Sequence, residues 1–309
     1  MEINAEMKAL VDDFLADLAY RNRSAHTIKA YTADLGQLFA FHGGSPDELD
    51  ARVLRDFTGQ DARLAPATRA RKQSTLSSFL VWAYRHDRVS SNPMLKLERV
   101  QRKRPAPRGL SRESVEQILA TIAPAQRRDH LLFRLAFETG LRISEALHVH
   151  IEDLDLTRDD ERLTVVGKGG RQRTILLDDP RLLKELRTYL KVMDYKRGFL
   201  FRAAKNGDGG AVRYQSIQER WVHYCELAGV VCTIHQLRHS HATEMVNGGV
   251  SLGTIRKRLG HKSIQTTLLY AEVSDTLADA ELRDWRRRQG RPPIQNRPAG
   301  KAKRTPAVP

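Results

Sequence analysis

Cysteine and aromatic residues are scarce in this chain of 309 residues. The two cysteines, Cys225 and Cys232, are too few for a disulfide framework, and their spacing matches no zinc-binding pattern. Aromatic residues make up 6% of the chain, which argues against a stacking platform for nucleic acid single strands. The composition thus excludes a disulfide-stapled secreted scaffold and indicates a reducing compartment.

Long apolar segments are also missing from the sequence. No run approaches the roughly 18 apolar residues that a membrane helix needs. The first residues, Met1 to Glu6, are acidic and lack the apolar core of a signal peptide. We therefore expect a cytoplasmic protein that has no contact with a membrane.

Acidic residues are absent from the end of the chain, where basic residues accumulate. The formal net charge is +15, and residues 286–309 hold eight basic residues, which leaves +7 for residues 1–285. We predict that residues 290–309 form a basic, disordered tail. This charge balance suits a polyanionic partner such as DNA or RNA, and a basic protein without a specific partner is the alternative that charge alone leaves open.

Apolar periodicity predicts a mainly α protein with two domains and a linker. Residues 1–100 are expected to form a four-helix domain, and residues 101–109 read as a basic, proline-containing linker. Residues 110–289 are expected to form an α-rich domain that includes a small antiparallel β-hairpin. Within these domains the pattern predicts the following elements: helices over 5–21, from Ser24 to Gly43, from Ser45 to Phe57, from 67 to 86, from Ser111, from 126 to 138 and from 141, strands over 162–166 and 173–177, and mostly helix after Pro180.

Four short segments of the second domain combine residue types that carry phosphate chemistry. They are Thr139–Leu147, Gly167–Arg171, His235–Thr243 and Leu259–His261, the last followed nine residues later by Tyr270. Each segment alone is a weak signal, because a lone arginine at a helix start is usually solvated and a lone tyrosine on a helix usually packs. Together and in this order they closely resemble the tyrosine recombinase (phage integrase) family, and the resemblance covers nearly the whole chain.

The resemblance implies a fold and an activity. The N-terminal domain is expected to be a SAM-like helical DNA clamp, and the compact length is most similar to Xer-type and transposon-borne members. Six positions match the family's active site: Arg142, Lys168, His235, Arg238, His261 and Tyr270. Gln236 and His241 depart from the residues common at their positions, but neither position is catalytic in the family.

The proposed roles agree with the chemistry of a phosphodiester. Arginine suits the charge that develops on the phosphate oxygens, because its planar fork stays protonated, so Arg142 and Arg238 take this role with His261 as a third donor. Tyr270 needs a base because its unperturbed pKa is about 10, and His235 is the expected acceptor. Lys168 is the expected general acid for the leaving 5′-oxygen. The expected product is a 3′-phosphotyrosine, which keeps the energy of the broken bond. We therefore predict an enzyme that needs no metal or other cofactor.

Residues outside the six matched positions also have predicted roles. Glu145 either orients Arg142 or is a helix-start carboxylate favoured by the helix dipole. Tyr214 and Tyr224 compete with Tyr270 as nucleophile, although neither has its relation to a Gly-His pair. His239 and His241 are expected to be packing and surface residues. DNA contacts are predicted for five basic residues of the linker and hairpin: Arg102, Lys103, Arg104, Arg171 and Arg173. For the linker residues, a solvated hinge without DNA contact is the alternative.

The expected partner is double-stranded DNA, bound by a homo-tetramer or by a hetero-tetramer with a related recombinase. The helix predicted over 276–289 has apolar residues with little to cover them in cis, which suggests docking into a neighbouring subunit. The expected function is site-specific recombination for integration or excision, transposition or chromosome-dimer resolution. A type IB-like topoisomerase and an architectural DNA-binding protein with an idle active site are the alternatives.

Overall fold

The computed structural model describes residues 5–59, 64–100, 109–167, 170–203, 209–261, 267–268 and 275–290. The chain divides into two compact units, residues 1–105 and 106–309. Most of the predicted linker and nearly all of the predicted tail lie outside the described residues. No helix within the described ranges is both long and apolar enough to cross a membrane.

The first unit is built from helices that pack their apolar stripes together. They are α1 (Ala5–Tyr20), α2 (Ala25–His42), α3 (Ala51–Gly59) and α4 (Pro66–Arg85). Phe14 lies at the centre of the core, with its ring 5.4 Å from that of Phe79 and 5.3 Å from that of Trp82. The side-chain hydroxyl of Ser24 accepts a hydrogen bond from the Thr27 amide and so begins α2 as predicted.

The prediction of one helix from Ser45 to Phe57 is wrong. The chain forms a short 3₁₀ turn over Pro46–Glu48 and then begins α3 separately at Ala51. The side chain of Asp50 accepts a hydrogen bond from the Val53 amide at 2.8 Å, so it caps a new helix at this point. Local capping therefore divides an apolar stripe that periodicity alone reads as continuous.

The second unit is also mainly helical. Its helices are α5 (Arg112–Ala120), α6 (Arg127–Thr139), α7 (Ile143–Ala146), α8 (Pro180–Val192), α9 (Tyr214–Ala228), α10 (Gln236–Asn247), α11 (Leu252–Leu259) and α12 (Asp275–Arg288). Helix α6 is the central element, because residues on all its faces from Leu131 to Thr139 are buried. A helix that is buried all round needs neighbours on every side, and α5, α7, α8 and α10 supply them.

A three-stranded antiparallel sheet carries the predicted hairpin. Strands β1 (Leu154–Asp155), β2 (Arg162–Val166) and β3 (Gln172–Leu176) lie in the order β1-β2-β3. Strand β2 agrees with the prediction, β3 begins one residue earlier than predicted, and β1 was not predicted because it has only two residues. Leu163 pairs with Ile175 in the β2–β3 register, and both side chains point into the core.

Candidate active site

Arg142 stands at the start of α7, where Glu145 fixes it twice. The Arg142 backbone amide donates to Glu145 Oε2 at 3.0 Å, and its Nη1 donates to Glu145 Oε1 at 2.8 Å. The carboxylate side chain is 6% exposed while the Arg142 side chain is 35% exposed. The buried Glu145 carboxylate therefore orients the Arg142 guanidinium, while part of that guanidinium remains exposed to solvent and accessible to a ligand.

Arg238 is buried on α10 and joins two distant segments. Its Nη1 donates to the Gly140 carbonyl and its Nη2 to the Leu259 carbonyl, each at 2.8 Å. Gly140 ends α6 with a φ of +65°, and an added Cβ there would lie 2.7 Å from the His241 ring. Glycine is required at this position because it alone combines that backbone conformation with the close approach of α10.

His235 immediately precedes α10, one turn before Arg238. Burial lowers the pKa of His235, and the nearby charges of Arg238 and Arg142 lower it further. Gln236, a departure from the family pattern, accepts a hydrogen bond from the Thr233 amide at 2.8 Å. This bond fixes the turn that presents His235, so the departure keeps a capping function.

His261 follows Gly260, which ends α11 with a φ of +68°. Its Nδ1 lies 2.9 Å from the hydroxyl oxygen of Thr267, a fully buried residue. Burial lowers the pKa of His261 to about 4, assisted by the charges of Arg238 and Arg142. The ring is therefore neutral near pH 7, and Thr267 is a partner that sequence reasoning did not identify.

Two of the six predicted catalytic residues, Lys168 and Tyr270, lie outside the described residues, as do Arg102, Lys103 and Arg104. Arg171 is exposed in the hairpin turn. Arg173, by contrast, is turned away from solvent. Its side chain is 12% exposed, and its Nη2 donates to Glu145 Oε2 at 2.8 Å. The guanidinium is drawn inward because Glu145 is a buried carboxylate that needs charged donors.

The competing tyrosines differ in their surroundings. Tyr224 is buried, and its hydroxyl donates to Gln126 Oε1 at 2.8 Å and lies 3.0 Å from Asp129 Oδ2. Burial and the Asp129 carboxylate raise the pKa of Tyr224 to about 12. Tyr214 is 45% exposed at the start of α9. Tyr224 thus has a structural role, and an unfavourable phenolate makes it a poor nucleophile.

His241 is fully enclosed rather than a surface residue. Its Nε2 accepts a hydrogen bond from Arg258 Nε at 3.2 Å, and burial lowers its pKa to about 3. The guanidinium of Arg258 also donates to the carbonyls of Glu138 and Leu176. The sequence pattern did not identify Arg258, because these partners are separated from it by more than eighty residues.

Charge defines what the assembled cluster is suited to bind. Arg142, Arg173 and Arg238 surround Glu145, with Arg238 Nη1 3.9 Å from Glu145 Oε2. Three guanidinium groups and one carboxylate give a net charge of about +2 beside two neutral histidines. Such a site attracts an anion, and the fixed donors suit the oxygens of a phosphate group.

Comparison with known proteins identifies both units. The Phage integrase family profile matches residues 108–276. The profile of the phage integrase N-terminal SAM-like domain matches residues 11–87. Together the two matches span both compact units of the chain.

Relatives and solved structures agree with these matches. The tyrosine recombinase XerC of Caldanaerobacter subterraneus subsp. tengcongensis is 31% identical over 288 residues, covering 82% of this chain and 80% of that protein. The site-specific recombinase XerH, in a post-cleavage complex with difH, has the same fold, with a TM-score of 0.71, 21% identity and coverage of 86% and 81%. A lambda integrase tetramer on a Holliday junction gives a TM-score of 0.69 at 17% identity, covering 83% and 77%. The chain therefore belongs to the phage integrase family, the site-specific tyrosine recombinases that cleave and rejoin DNA.

Proposed function

We propose that Arg142, His235, Arg238 and His261, together with Lys168 and Tyr270, form the centre in which this enzyme cleaves and religates one DNA strand. The observation that carries the proposal is the convergence of the four described residues from α7, α10 and the end of α11. Burial lowers the pKa values of His235 and His261, and the charges of both Arg238 and Arg142 lower them further. All four side chains therefore lie within electrostatic reach of one bound group.

The two arginines would stabilise the phosphate as it becomes five-coordinate. Arg142 presents a partly exposed guanidinium that Glu145 orients. Arg238 is held by backbone carbonyls on two sides, so its guanidinium plane is fixed before the substrate arrives. Donors that need no reorganisation favour the transition state over the ground state, which is the source of catalysis here.

The neutral histidines fit proton acceptance and hydrogen-bond donation. His235 would take the proton of Tyr270, because a ring with a lowered pKa stays unprotonated near pH 7 and can accept one. His261 would donate a hydrogen bond to a phosphate oxygen. Its contact with Thr267 fixes the orientation of the ring for this task.

The reaction balances without any further reagent. The Tyr270 oxygen forms a bond to phosphorus while the bond from phosphorus to the 5′-oxygen breaks, and Lys168 gives the leaving oxygen its proton. The resulting 3′-phosphotyrosine keeps one phosphoester bond for each one broken, so a 5′-hydroxyl from another strand reverses the step. The same exchange serves integration, excision, transposition and chromosome-dimer resolution.

The charge distribution of the N-terminal unit supports DNA contact through α4. This helix contains Arg69, Arg71, Lys72 and Arg85 and no acidic residue, whereas α1 contains four acidic residues and one lysine. The Arg71 guanidinium pairs with Asp34, which is 1% exposed, so a buried carboxylate holds a half-exposed arginine in place. We assign the α4 side of this unit, with Arg171 in the other unit, to the phosphate backbone.

Assembly on DNA completes the proposal. In α12, Leu282 is 56% exposed and Trp285 is 53% exposed, so both side chains remain uncovered by the described residues of their own chain. We infer that α12 docks on a neighbouring subunit in a homo-tetramer or a hetero-tetramer. Because the substrate is DNA, the enzyme would act in the compartment that holds it, in line with the expected cytoplasmic location.

A covalent-trapping experiment tests the proposed chemistry. Wild type, Tyr270→Phe and Tyr224→Phe would be incubated with labelled duplexes from the flanks of the gene, each nicked near inverted repeats to trap the intermediate. We expect a heat-stable protein–DNA band on a denaturing gel with wild type and Tyr224→Phe, and none with Tyr270→Phe. A band with Tyr270→Phe would assign the nucleophile to another residue and refute the proposal.

A further inference from the structure

Arg173 is a buried arginine on β3 whose contacts belong to other parts of the active site. Its Nη1 and Nη2 both donate to the Glu145 carboxylate, at 3.3 and 2.8 Å. Its Nε donates to the carbonyl of Arg258, in the last turn of α11, at 2.9 Å. Every nitrogen of the guanidinium therefore binds a residue of α7 or α11, at sequence separations of 28 and 85.

Two glycines bring the backbone close to the same guanidinium. A Cβ added to Gly167 would lie 3.3 Å from Arg173 Nη1, and a Cβ added to Gly260 would lie 3.1 Å from the same atom. Gly167 directly precedes Lys168, and Gly260 directly precedes His261. The guanidinium thus packs against the chain immediately before two residues of the proposed catalytic set.

A second arginine, Arg258, also connects β3 and α11, but here the helix donates the hydrogen bond and the strand accepts it. Arg258 of α11 donates through Nη1 to the carbonyl of Leu176 on β3 at 3.1 Å, while Arg173 of β3 donates to the Arg258 carbonyl. Strand and helix therefore exchange one arginine-to-carbonyl bond each. This pair of bonds limits the movement of the hairpin relative to α11.

Charge adds a reason for an arginine at this position. Burial by itself would raise the pKa of Glu145, but the hydrogen bonds from Arg173 and the charges of Arg173 and Arg142 outweigh it and lower the pKa. With Arg173 removed, Glu145 would keep Arg142 as its main charged partner. Arg142 already donates to this carboxylate, and without Arg173 it would be bound there more strongly and be less available to the phosphate.

We propose that Arg173 is a positioning residue for DNA cleavage, which fixes Arg142 through Glu145 and His261 through Gly260, and which packs against Gly167, the residue directly before Lys168. The assignment rests on the proposed function of Arg142, Lys168 and His261. It replaces the DNA-contact role that the sequence alone suggests for Arg173. All three nitrogens of its guanidinium are bonded to Glu145 or to the Arg258 carbonyl, so the side chain is directed at neighbours of the proposed catalytic residues.

The test compares cleavage rate with DNA affinity in Arg173→Gln and Arg173→Lys. The matched control is Arg162→Gln, at the outer end of the same hairpin, where the arginine is exposed and pairs with Asp160. Single-turnover cleavage of a nicked duplex, the Kd for that duplex and the Tm would be measured for each. We expect Arg173→Gln to cleave about 100-fold more slowly, as for a misplacement of about 1 Å, with an unchanged Kd.

Arg173→Lys should give an intermediate rate, because lysine keeps the charge but cannot reproduce the fork. It also carries the test if Arg173→Gln does not fold. A second substrate has sulfur in place of the leaving 5′-oxygen. It separates the contribution of Lys168 from those of Arg142 and His261, because a thiolate leaves without a proton. If Arg173 positions Lys168, this substrate should recover part of the rate lost in Arg173→Gln, as it should for Lys168→Ala.

The outcomes separate this inference from the proposed function. Wild-type cleavage by Arg173→Gln, or a loss of rate explained by weaker DNA binding, would overturn the positioning role. Equal losses of rate on both substrates, together with a lowered Tm in Arg173→Lys, would show that Arg173 only stabilises the fold. That result would also overturn the positioning role. Cleavage by Tyr270→Phe would instead overturn the proposed function, whatever the Arg173 variants do.

Discussion

Glu145 shows how one buried carboxylate organises several cations. Its two oxygens accept from the Arg142 amide, the Arg142 guanidinium and the Arg173 guanidinium. A buried ion pair contributes little net stability when its desolvation is counted, so stability alone does not explain this arrangement. The arrangement instead fixes the orientation of the guanidinium groups, because a charged group that makes several hydrogen bonds is held in one orientation.

The sequence could identify one part of this cluster and not another. Arg142, His235, Arg238 and His261 stand in short motifs whose order and spacing resemble a known family. Arg173 lies on a strand, where successive side chains point to opposite faces of the sheet. This alternation predicts which face a side chain occupies, but it does not predict the hydrogen-bond partner of a long side chain such as arginine. Its partners, Glu145 and Arg258, become neighbours only through the packing of β3 against α7 and α11.

His241 is expected to make the fold sensitive to acid. Its pKa is lowered to about 3, by burial first and then by the charge of Arg258, so below pH 6.5 the unfolded chain binds more protons than the folded one. Stability therefore falls as the pH falls from about 6.5 toward 3. His241→Gln should flatten this fall by up to about 1.4 kcal/mol per pH unit, measured by urea unfolding at pH 7, 6 and 5.

His223→Gln is the matched control for that measurement, because His223 is exposed on α9 of the same unit. The control should follow the wild-type dependence. His235, His239 and His261 also have lowered pKa values, so the wild-type slope should be reduced in His241→Gln and not abolished. Identical slopes for wild type and His241→Gln would contradict the prediction.

Helices were the most predictable elements, because their apolar periodicity extends over several turns. The starts of α2 and α5 follow from Ser24 and Ser111, whose hydroxyls accept hydrogen bonds from backbone amides inside the helix. The break before α3 depends on a single cap at Asp50, and β1 has two residues. A single capping residue and a two-residue strand are too short to be recognised from the periodicity of apolar residues.

Helix α12 is expected to hold subunits together on DNA. A chain truncated after Asp275, or one with Leu282→Asp and Trp285→Asp, should bind DNA as separate subunits and form no tetramer, because the exposed apolar contacts are lost. Analytical ultracentrifugation on a duplex with two inverted half-sites would measure the assembly. Arg283→Gln, an exposed change on the same helix, is the control, and normal tetramers from the double variant would disprove the docking role.

The whole molecule distributes its positive charge unevenly. Helix α1 is acidic while α4 is basic, and the last 24 residues, 286–309, carry eight basic side chains. Positive charge raises affinity for a polyanion without specifying its sequence. Composition alone predicted this general affinity, whereas sequence preference depends on groove contacts and DNA shape, which composition does not encode.

Removal of residues 290–309 should weaken the salt dependence of DNA binding. The segment contains five basic residues, Arg291, Arg297, Lys301, Lys303 and Arg304. Each phosphate that they neutralise adds about 0.9 to the magnitude of the slope of log K against log salt, so that magnitude should fall by as much as about 4.5. Fluorescence anisotropy between 50 and 200 mM salt, on a non-specific duplex, would measure it.

A full-length variant with those five residues changed to glutamine should behave like the deletion, since the charge and not the length is responsible. Specific cleavage rates at low salt should remain close to wild type in both. A slope equal to that of the wild type would show that the tail does not touch the DNA.

The bonds of Arg238 also join distant segments of the second unit. They join α10 to the end of α6, 98 residues earlier, and to the end of α11, 21 residues later. Contacts over such distances slow folding, because the entropy of closing the intervening loops is lost before the contacts form. If Arg238 acts on the phosphate as proposed, a chain in which α6, α10 and α11 have not packed together lacks the bonds that hold this arginine. Breakage of DNA would then require the finished fold.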